Sequence, residues 1–127
     1  MPSSTQVLDI YPGALASFPY DLVNVGGTLF FGADDGTYGS ELWKSDGTAT
    51  GTVLVKDITP TTSGSGPTLI LGSYAQGQTP LIFSDGRFLL CAEDGSGYEP
   101  WISDGTLAGT LRILDVNAGL LDGCYRF

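Results

Sequence analysis

A twelve-residue repeat constrains this chain more than any other feature. Residues 41–52 read ELWKSDGTATGT and residues 99–110 read EPWISDGTLAGT, so eight of twelve positions are identical. Repetition at a period of about 20–50 residues is typical of solenoids and propellers, in which each repeat is one supersecondary unit. The sequence therefore predicts two copies of one structural unit.

The similarity extends on both sides of this motif. Residues 29–36 match residues 88–95, and Val55-Lys56-Asp57-Ile58 matches Ile113-Leu114-Asp115-Val116. A third partial copy, Val7-Leu8-Asp9-Ile10, opens the chain. We therefore expect a single repeat domain over 1–127, with unit 1 at about 9–57, unit 2 at about 58–115 and a partial third unit at 116–127.

Each unit is predicted to form four strands separated by turns. Asp-Gly and Gly-Gly pairs punctuate the chain, and such pairs favour tight hairpins because glycine adopts positive φ at little cost. No segment shows helical spacing over three turns. The predicted strands are 21–25, 28–33, 41–45 and 52–58 in unit 1, and 80–83, 87–92, 99–103 and 110–116 in unit 2.

The second strand of each unit is apolar on both alternating faces. Residues 29–33 read LFFGA and residues 88–92 read FLLCA, whereas a strand with one wet face would alternate apolar and polar residues. The fourth strands carry charges such as Lys56 and Arg112, as an outer edge would. Sheets with a doubly covered middle strand and a polar outer edge describe stacked propeller blades. The predicted fold class is all-β and β-propeller-type, with two four-stranded antiparallel blades.

The motif resembles the bacterial ELWxxDGT repeat family. Unit 1 carries the motif whole, from Glu41 to Thr48, and continues with Gly51-Thr52 and Lys56-Asp57-Ile58 as the family does. Unit 2 has Pro100 in place of the leucine, and proline cannot donate to a strand ladder. The resemblance implies propeller-like blades in secreted or surface-attached bacterial proteins. It implies no catalytic residues.

Two blades cannot cover each other completely, because each blade of a propeller buries both faces on its neighbours. Closed propellers have about 4–8 blades, so we expect completion by further repeats or by a cyclic homo-oligomer, for example a trimer or a tetramer. The expected function is a non-enzymatic structural or adhesive module at an extracellular or cell-surface location. The alternative is a lectin assembled from two-blade subunits.

Repeated motif residues are the candidate binding site. Aromatic faces stack on sugar rings, but equivalent residues in a repeat also serve as packing anchors and turn formers. Both interpretations apply to the candidate ligand-binding residues: Trp43, Trp101, Asp46, Asp104, Glu41 and Glu99.

Acidic residues next to the motif offer an alternative role as calcium ligands. Ca²⁺ takes about six to eight oxygen ligands, usually with several carboxylates. The best local clusters are Asp34, Asp35 and Glu41 in unit 1, and Glu93, Asp94 and Glu99 in unit 2. The candidate calcium ligands are Asp34, Asp35, Glu93 and Asp94. Their spacing is not that of an EF-hand loop, so Asp-Gly hairpin chemistry is the competing explanation. No cofactor is expected apart from this calcium alternative.

Composition excludes several function classes. The chain has 14 acidic and 5 basic residues, a net charge of −9 and no histidine. The basic residues are scattered, so we expect no nucleic-acid partner, and no apolar run approaches the roughly 18–20 residues of a membrane span. No Ser/His/Asp set, Cys/His pair or phosphate-cradling glycine loop is present, so the chain is not predicted to be an enzyme.

Two cysteines and a polar start complete the sequence evidence. Cys91 lies in an apolar run and Cys124 near the end, and either a disulfide or a buried free thiol is compatible with that placement. Residues 1–6 contain no basic segment followed by an apolar stretch, so no signal peptide is visible.

Overall fold

A computed structural model of the chain describes residues 4–37, 39–59, 82–94 and 98–113, with the backbone alone for Tyr98. These residues form strands without helices, so the all-β prediction is confirmed. No helix in this part of the chain is long and apolar enough to cross a membrane. The strands are β1 (Tyr20–Val25), β2 (Thr28–Asp34), β3 (Ser40–Ser45), β4 (Val53–Lys56), β5 (Phe88–Glu93), β6 (Tyr98–Ser103) and β7 (Leu111–Arg112).

The strands form two antiparallel sheets joined by tight turns. Sheet 1 has the order β1-β2-β3-β4 and sheet 2 the order β5-β6-β7. The first hairpin pairs Val25 with Thr28, and Gly26 and Gly27 between them have φ values of 61° and 93°. Such a two-residue turn matches the strand twist only with positive φ. The four strands predicted for unit 1 are therefore present.

Unit 2 departs from the prediction at both of its ends. Of the predicted strand 80–83, residues 80 and 81 lie outside the described residues, and Ile82 forms an isolated bridge with Phe88. A tight turn explains this shortening, because the amide of Phe83 donates to the carbonyl of Arg87 at 2.7 Å. The predicted strand 110–116 is the two-residue β7, and positions 114–116 lie outside the described residues.

Each sheet has two different faces. In sheet 1, Phe31 pairs with Trp43, and directly paired side chains project to the same side. We call this side the Trp face; its members are Leu29, Phe31, Ala33, Trp43 and Leu54. The back face of sheet 1 carries Val25, Phe30, Leu42, Lys44 and Val55. By the same pairing, the Trp face of sheet 2 carries Phe88, Leu90, Ala92 and Trp101, and its back face carries Leu89, Cys91 and Ile102.

The two sheets stack head to tail. One core cluster joins the back face of sheet 1 to the Trp face of sheet 2, and Phe30 and Phe88 meet with ring centroids 4.5 Å apart. Phe30, Phe88 and Leu90 are exposed by only 4%, 2% and 1%. Sequence-equivalent sheets therefore bury opposite faces against each other, in the order in which they follow along the chain.

The Trp face of sheet 1 is partly covered by the chain's own N-terminal segment. Ile10, Leu29 and Leu54 pack against a second cluster of Phe31, Ala33 and Trp43. Phe31 is 5% exposed, so the doubly covered second strand is confirmed in sheet 1. Part of this cover comes from Ile10 in the N-terminal segment 4–19, which forms no strand, and completion by another blade stays a prediction. The copy at 7–10 lies outside the sheets and contributes Ile10.

The cysteine question is settled for Cys91, which is disulfide-bonded and 5% exposed on the back face of sheet 2. Cys124, the other cysteine of the chain, lies outside the described residues.

Candidate functional site

The repeated motif folds into a loop that is closed by its own side chains. Asp46 Oδ1 accepts hydrogen bonds from the Thr48 amide at 2.9 Å and from the Thr48 hydroxyl at 2.6 Å. Thr48 Oγ1 in turn accepts from the Gly51 amide at 3.0 Å. Short polar side chains that bond to backbone two residues onward stabilise turns. The motif aspartate is thus held inside its own loop.

A buried hydroxyl pair anchors this loop to the sheet. Ser45 Oγ and Thr52 Oγ1 are 2.7 Å apart. The Thr52 hydroxyl donates to the carbonyl of Thr48 at 2.7 Å, so the single proton of Ser45 is the one that lies between the two hydroxyls. Ser45 Oγ also accepts from the Gly47 amide at 3.0 Å. The serine and the final threonine of the motif are therefore structural.

The second glycine of the motif makes room for the aspartate. A Cβ at Gly51 would lie 1.9 Å from Asp46 Oδ1, far inside any van der Waals contact. The first glycine, Gly47, has a φ of 93°, which side-chain-bearing residues rarely adopt. Each invariant position of the loop thus has a local geometric reason.

Unit 2 reproduces the loop closely. Asp104 Oδ1 accepts from the Thr106 amide at 2.9 Å and from its hydroxyl at 2.6 Å. Ser103 and Thr110 hydroxyls are 2.7 Å apart, and a Cβ at Gly109 would lie 2.0 Å from Asp104 Oδ1. The loop is one recurring element rather than two independent solutions.

These hydrogen bonds lower the pKa values of the two motif aspartates. The hydroxyl of Thr48, followed by its amide, holds the pKa of Asp46 below its ordinary value of 3.8. The hydroxyl and the amide of Thr106 lower the pKa of Asp104 in the same way, and the charge of Lys44 adds a smaller effect. Donors to a carboxylate favour its charged form, so both side chains are anionic near neutral pH.

The motif glutamate is buried and ties β3 to the chain that follows β4. Glu41 is 0% exposed, and its carboxylate accepts from the amides of Ile58 at 3.0 Å and Thr59 at 3.2 Å. Glu99 has the same position in sheet 2 and is also 0% exposed. Glu41 therefore fixes the chain where it leaves β4. The 17-residue separation of these partners is why the sequence alone did not reveal this role.

Both tryptophans pack between layers. Trp43 is 8% exposed in the cluster beneath the N-terminal segment, and Trp101 is 6% exposed in the core between the sheets. Lys56 places its amine 5.4 Å from the centre of the Trp101 ring. The ring faces meet protein, so the packing interpretation accounts for their positions.

The acidic residues proposed as calcium ligands do not converge. The side chains of Asp34 and Asp35 bond within turns, and that of Asp94 forms an ion pair. Asp34 Oδ1 accepts from the Gly36 amide and Asp35 Oδ1 from the Thr37 amide, each at 2.8 Å. Asp94 pairs with Arg112 at 3.0 Å, and Glu93 accepts the Thr59 hydroxyl at its main-chain carbonyl. Among the described residues no three metal-binding side chains form a group. Calcium binding stays a prediction, which melting curves in a calcium titration would test.

Two lysines, of which the sequence places Lys56 at an outer edge, join the sheets. Lys44 Nζ donates to the carbonyl of Gly105 at 2.7 Å, and Lys56 Nζ donates to the carbonyl of Thr110 at 3.0 Å. Both acceptors belong to the motif loop of the other unit. The signal that could have found them lies in unit 1, where Lys44 stands inside the motif and Lys56 stands four residues after it, with Ile102 and Leu114 at the equivalent positions of unit 2.

An open groove lies between the N-terminal segment and the Trp face of sheet 1. Its volume is about 280 Å³, close to the lower limit of about 300 Å³ for small-ligand pockets. Val7, Leu8, Leu22, Leu29, Phe31 and the anchoring pair Ser45 and Thr52 line it. The groove is mainly apolar and carries no charged side chain.

Comparisons with protein-family models, with curated proteins and with solved structures found no match to this chain. The resemblance to ELWxxDGT repeats therefore rests on the motif itself and stays a prediction.

Proposed function

We propose that this chain is a non-enzymatic β-propeller-type repeat module that acts as a structural or adhesive component of a bacterial surface or extracellular assembly. One observation carries the proposal: the back face of sheet 1 stacks on the Trp face of sheet 2 through Phe30 and Phe88. Head-to-tail contacts of this kind repeat, and they generate rings or extended arrays.

The use of the motif residues supports a structural role. Asp46, Ser45 and Thr52 are engaged within their loop, and Glu41 binds main-chain amides. A catalytic group must reach a substrate, whereas these side chains form hydrogen bonds with the main chain and with one another. Repeat-invariant chemistry of this kind maintains the unit.

The burial of the two tryptophans gives little support to the carbohydrate-binding alternative. A sugar would need an accessible aromatic face, and Trp43 and Trp101 are exposed by only 8% and 6%. A glycan array tests this alternative directly, and binding that survives Trp43→Phe would assign it to another site.

The proposed module completes itself with further repeat sheets, either as a cyclic trimer or tetramer or within a longer array. Sedimentation velocity at increasing concentration tests this property in the isolated chain. We expect a species with the mass of three or four chains. A single monomeric species at every concentration would contradict self-completion, and recovery of the protein solely in the cytoplasmic fraction of producing cells would contradict the surface role.

A further inference from the structure

The two Trp faces have equivalent residues but unequal cover. Gly105, in the loop beside the Trp face of sheet 2, is buried, whereas its equivalent Gly47 in sheet 1 is exposed. Sheet 2 is covered by a whole sheet, and sheet 1 by a segment without strands. The interface inside the chain therefore shows what a fully covered Trp face looks like.

The groove on sheet 1 is the position that an incoming side chain would fill. In the covered interface, Phe30 packs on Phe88 and approaches Gly105, where a Cβ would lie 2.9 Å from its ring. The equivalents of Phe88 and Gly105 on sheet 1 are Leu29 and Gly47. Leu29 lines the groove together with Ser45 and Thr52, the equivalents of Ser103 and Thr110. The groove thus corresponds to the unfilled socket of a Phe30-like residue.

The covered interface also defines the polar part of the partner. Lys44 and Lys56 donate to the carbonyls of Gly105 and Thr110, whose equivalents on sheet 1 are those of Gly47 and Thr52. The chain has a net charge of −9, so a partner that brings two cations is electrostatically complementary. Unit 2 has Ile102 and Leu114 at the equivalent sequence positions instead.

We propose that the Trp face of sheet 1 is a docking surface for a further sheet of the same repeat type, one with lysines at the positions of Lys44 and Lys56. This inference rests on the proposed function, because it names the partner of that module. The partner inserts an apolar side chain into the groove and places its two amines on the carbonyls of Gly47 and Thr52.

The N-terminal segment supports this placement. Residues 7–10 copy residues 55–58. Ile58 belongs to the cluster on the Trp face of sheet 2, and Ile10 packs on the Trp face of sheet 1. Ile10 thus stands on sheet 1 where Ile58 stands on sheet 2. Ile58 belongs to the chain that follows sheet 1, so a sheet that precedes sheet 1 would lie beside Ile10.

The test gives the chain the missing lysines and measures self-association. Ile102→Lys combined with Leu114→Lys gives unit 2 lysines at the sequence positions equivalent to Lys44 and Lys56 of unit 1. Leu15→Lys combined with Leu107→Lys is the matched control, because it adds the same charge at two side chains that are each 65% exposed. Sedimentation equilibrium is run with and without reductant, since disulfide-bonded Cys91 lies on the back face of sheet 2. We expect the first double variant to lower the dissociation constant at least tenfold relative to wild type and to the control.

A blocking variant identifies the surface. Leu22 lines the groove and is 59% exposed, and Val53 is an apolar residue on the opposite face with 39% exposure. Added to the double-lysine chain, Leu22→Lys should abolish the gain and Val53→Lys should preserve it. Circular dichroism checks that each variant is folded.

The outcomes separate this inference from the proposed function. No gain, a gain shared by the control, or a gain unaffected by Leu22→Lys overturns the docking surface. The role of the lysines is overturned if wild type has the same dissociation constant as the double-lysine variant and Leu22→Lys weakens both. Wild type that assembles regardless of all these changes overturns this inference and leaves the proposed function standing. No assembly of any variant overturns this inference and the self-completion of the isolated chain.

Discussion

The amine of Lys44 lies 2.7 Å from the carbonyl oxygen of Gly105. This contact joins the third strand of sheet 1 to the motif loop of unit 2. A charged amine on a carbonyl oxygen is a charge-assisted hydrogen bond, stronger than a neutral one. Together with the bond from Lys56 to Thr110, it fixes the register of one sheet on the next.

Replacing either lysine should weaken the contact between the sheets. Lys56→Met removes the bond to Thr110 and the cation–π contact with Trp101, and we expect a loss of about 1–3 kcal/mol. Lys44→Met should cost a similar amount. Urea unfolding measures the loss.

Arg87→Met is the control for these lysines, because it changes the net charge equally. Arg87 forms an ion pair with Asp85 in which the side chains are 49% and 53% exposed, so its loss should cost about 0–1 kcal/mol. Equal effects of all three substitutions would contradict a specific role of the lysines.

Removing the Glu41 carboxylate should destabilise the fold strongly. Glu41→Ala leaves the amides of Ile58 and Thr59 without their acceptors, and hydrogen bonds to charged groups contribute about 1.5–3 kcal/mol each. We expect a loss of at least about 3 kcal/mol, with Glu41→Gln intermediate because one acceptor oxygen remains. Chemical denaturation tests this, with exposed Asp9→Asn as the control. An effect of Glu41→Ala no larger than that of the control would contradict the assigned role.

The close approach of Gly51 to Asp46 predicts that Gly51→Ala and Asp46→Ala have non-additive effects on the free energy of unfolding. Gly51→Ala places a methyl group on the Asp46 carboxylate and should cost on the order of 1–3 kcal/mol, as overpacking does. In an Asp46→Ala background the same methyl group meets no carboxylate, so the added cost should fall markedly. A double-mutant cycle measures the difference, and strict additivity would contradict the steric explanation.

The lowered pKa values of Asp46 and Asp104 predict an acid-sensitive loop. Because the folded pKa lies below the ordinary value of 3.8, this contribution to stability is present above that value and is lost as pH falls through the folded pKa. Thr48→Val removes the hydroxyl donor and should raise the pKa of Asp46 while leaving that of Asp104 unchanged. Carboxyl chemical shifts in an NMR titration test this. An unshifted Asp46 would show that the hydroxyl is not the main cause.

Local patterns in the sequence are sufficient to predict much of sheet 1. The doubly apolar run at Phe30 and Phe31 predicted a strand covered on both faces, and Gly26-Gly27 predicted the first hairpin, because each depends on alternation or on backbone freedom within a few residues. The roles of Lys44 and Glu41 depend on partners 61 and 17 residues away. Sequence spacing does not reveal such contacts. The copy at 7–10 matches the end of unit 1 in sequence, but it lies outside the sheets of the described chain, because a strand also needs a partner that a local pattern does not show.

The lysines that join the sheets select oxygen atoms of the main chain, and every amino acid provides those atoms. Residues such as Leu107 and Ala108 in the acceptor loop can therefore drift in evolution without disturbing recognition by the neighbouring unit. Divergent copies would remain interchangeable along an array as long as the loop retains its backbone course. Duplication of such a unit needs no matching change in its neighbour, because the acceptor atoms are already present in every copy.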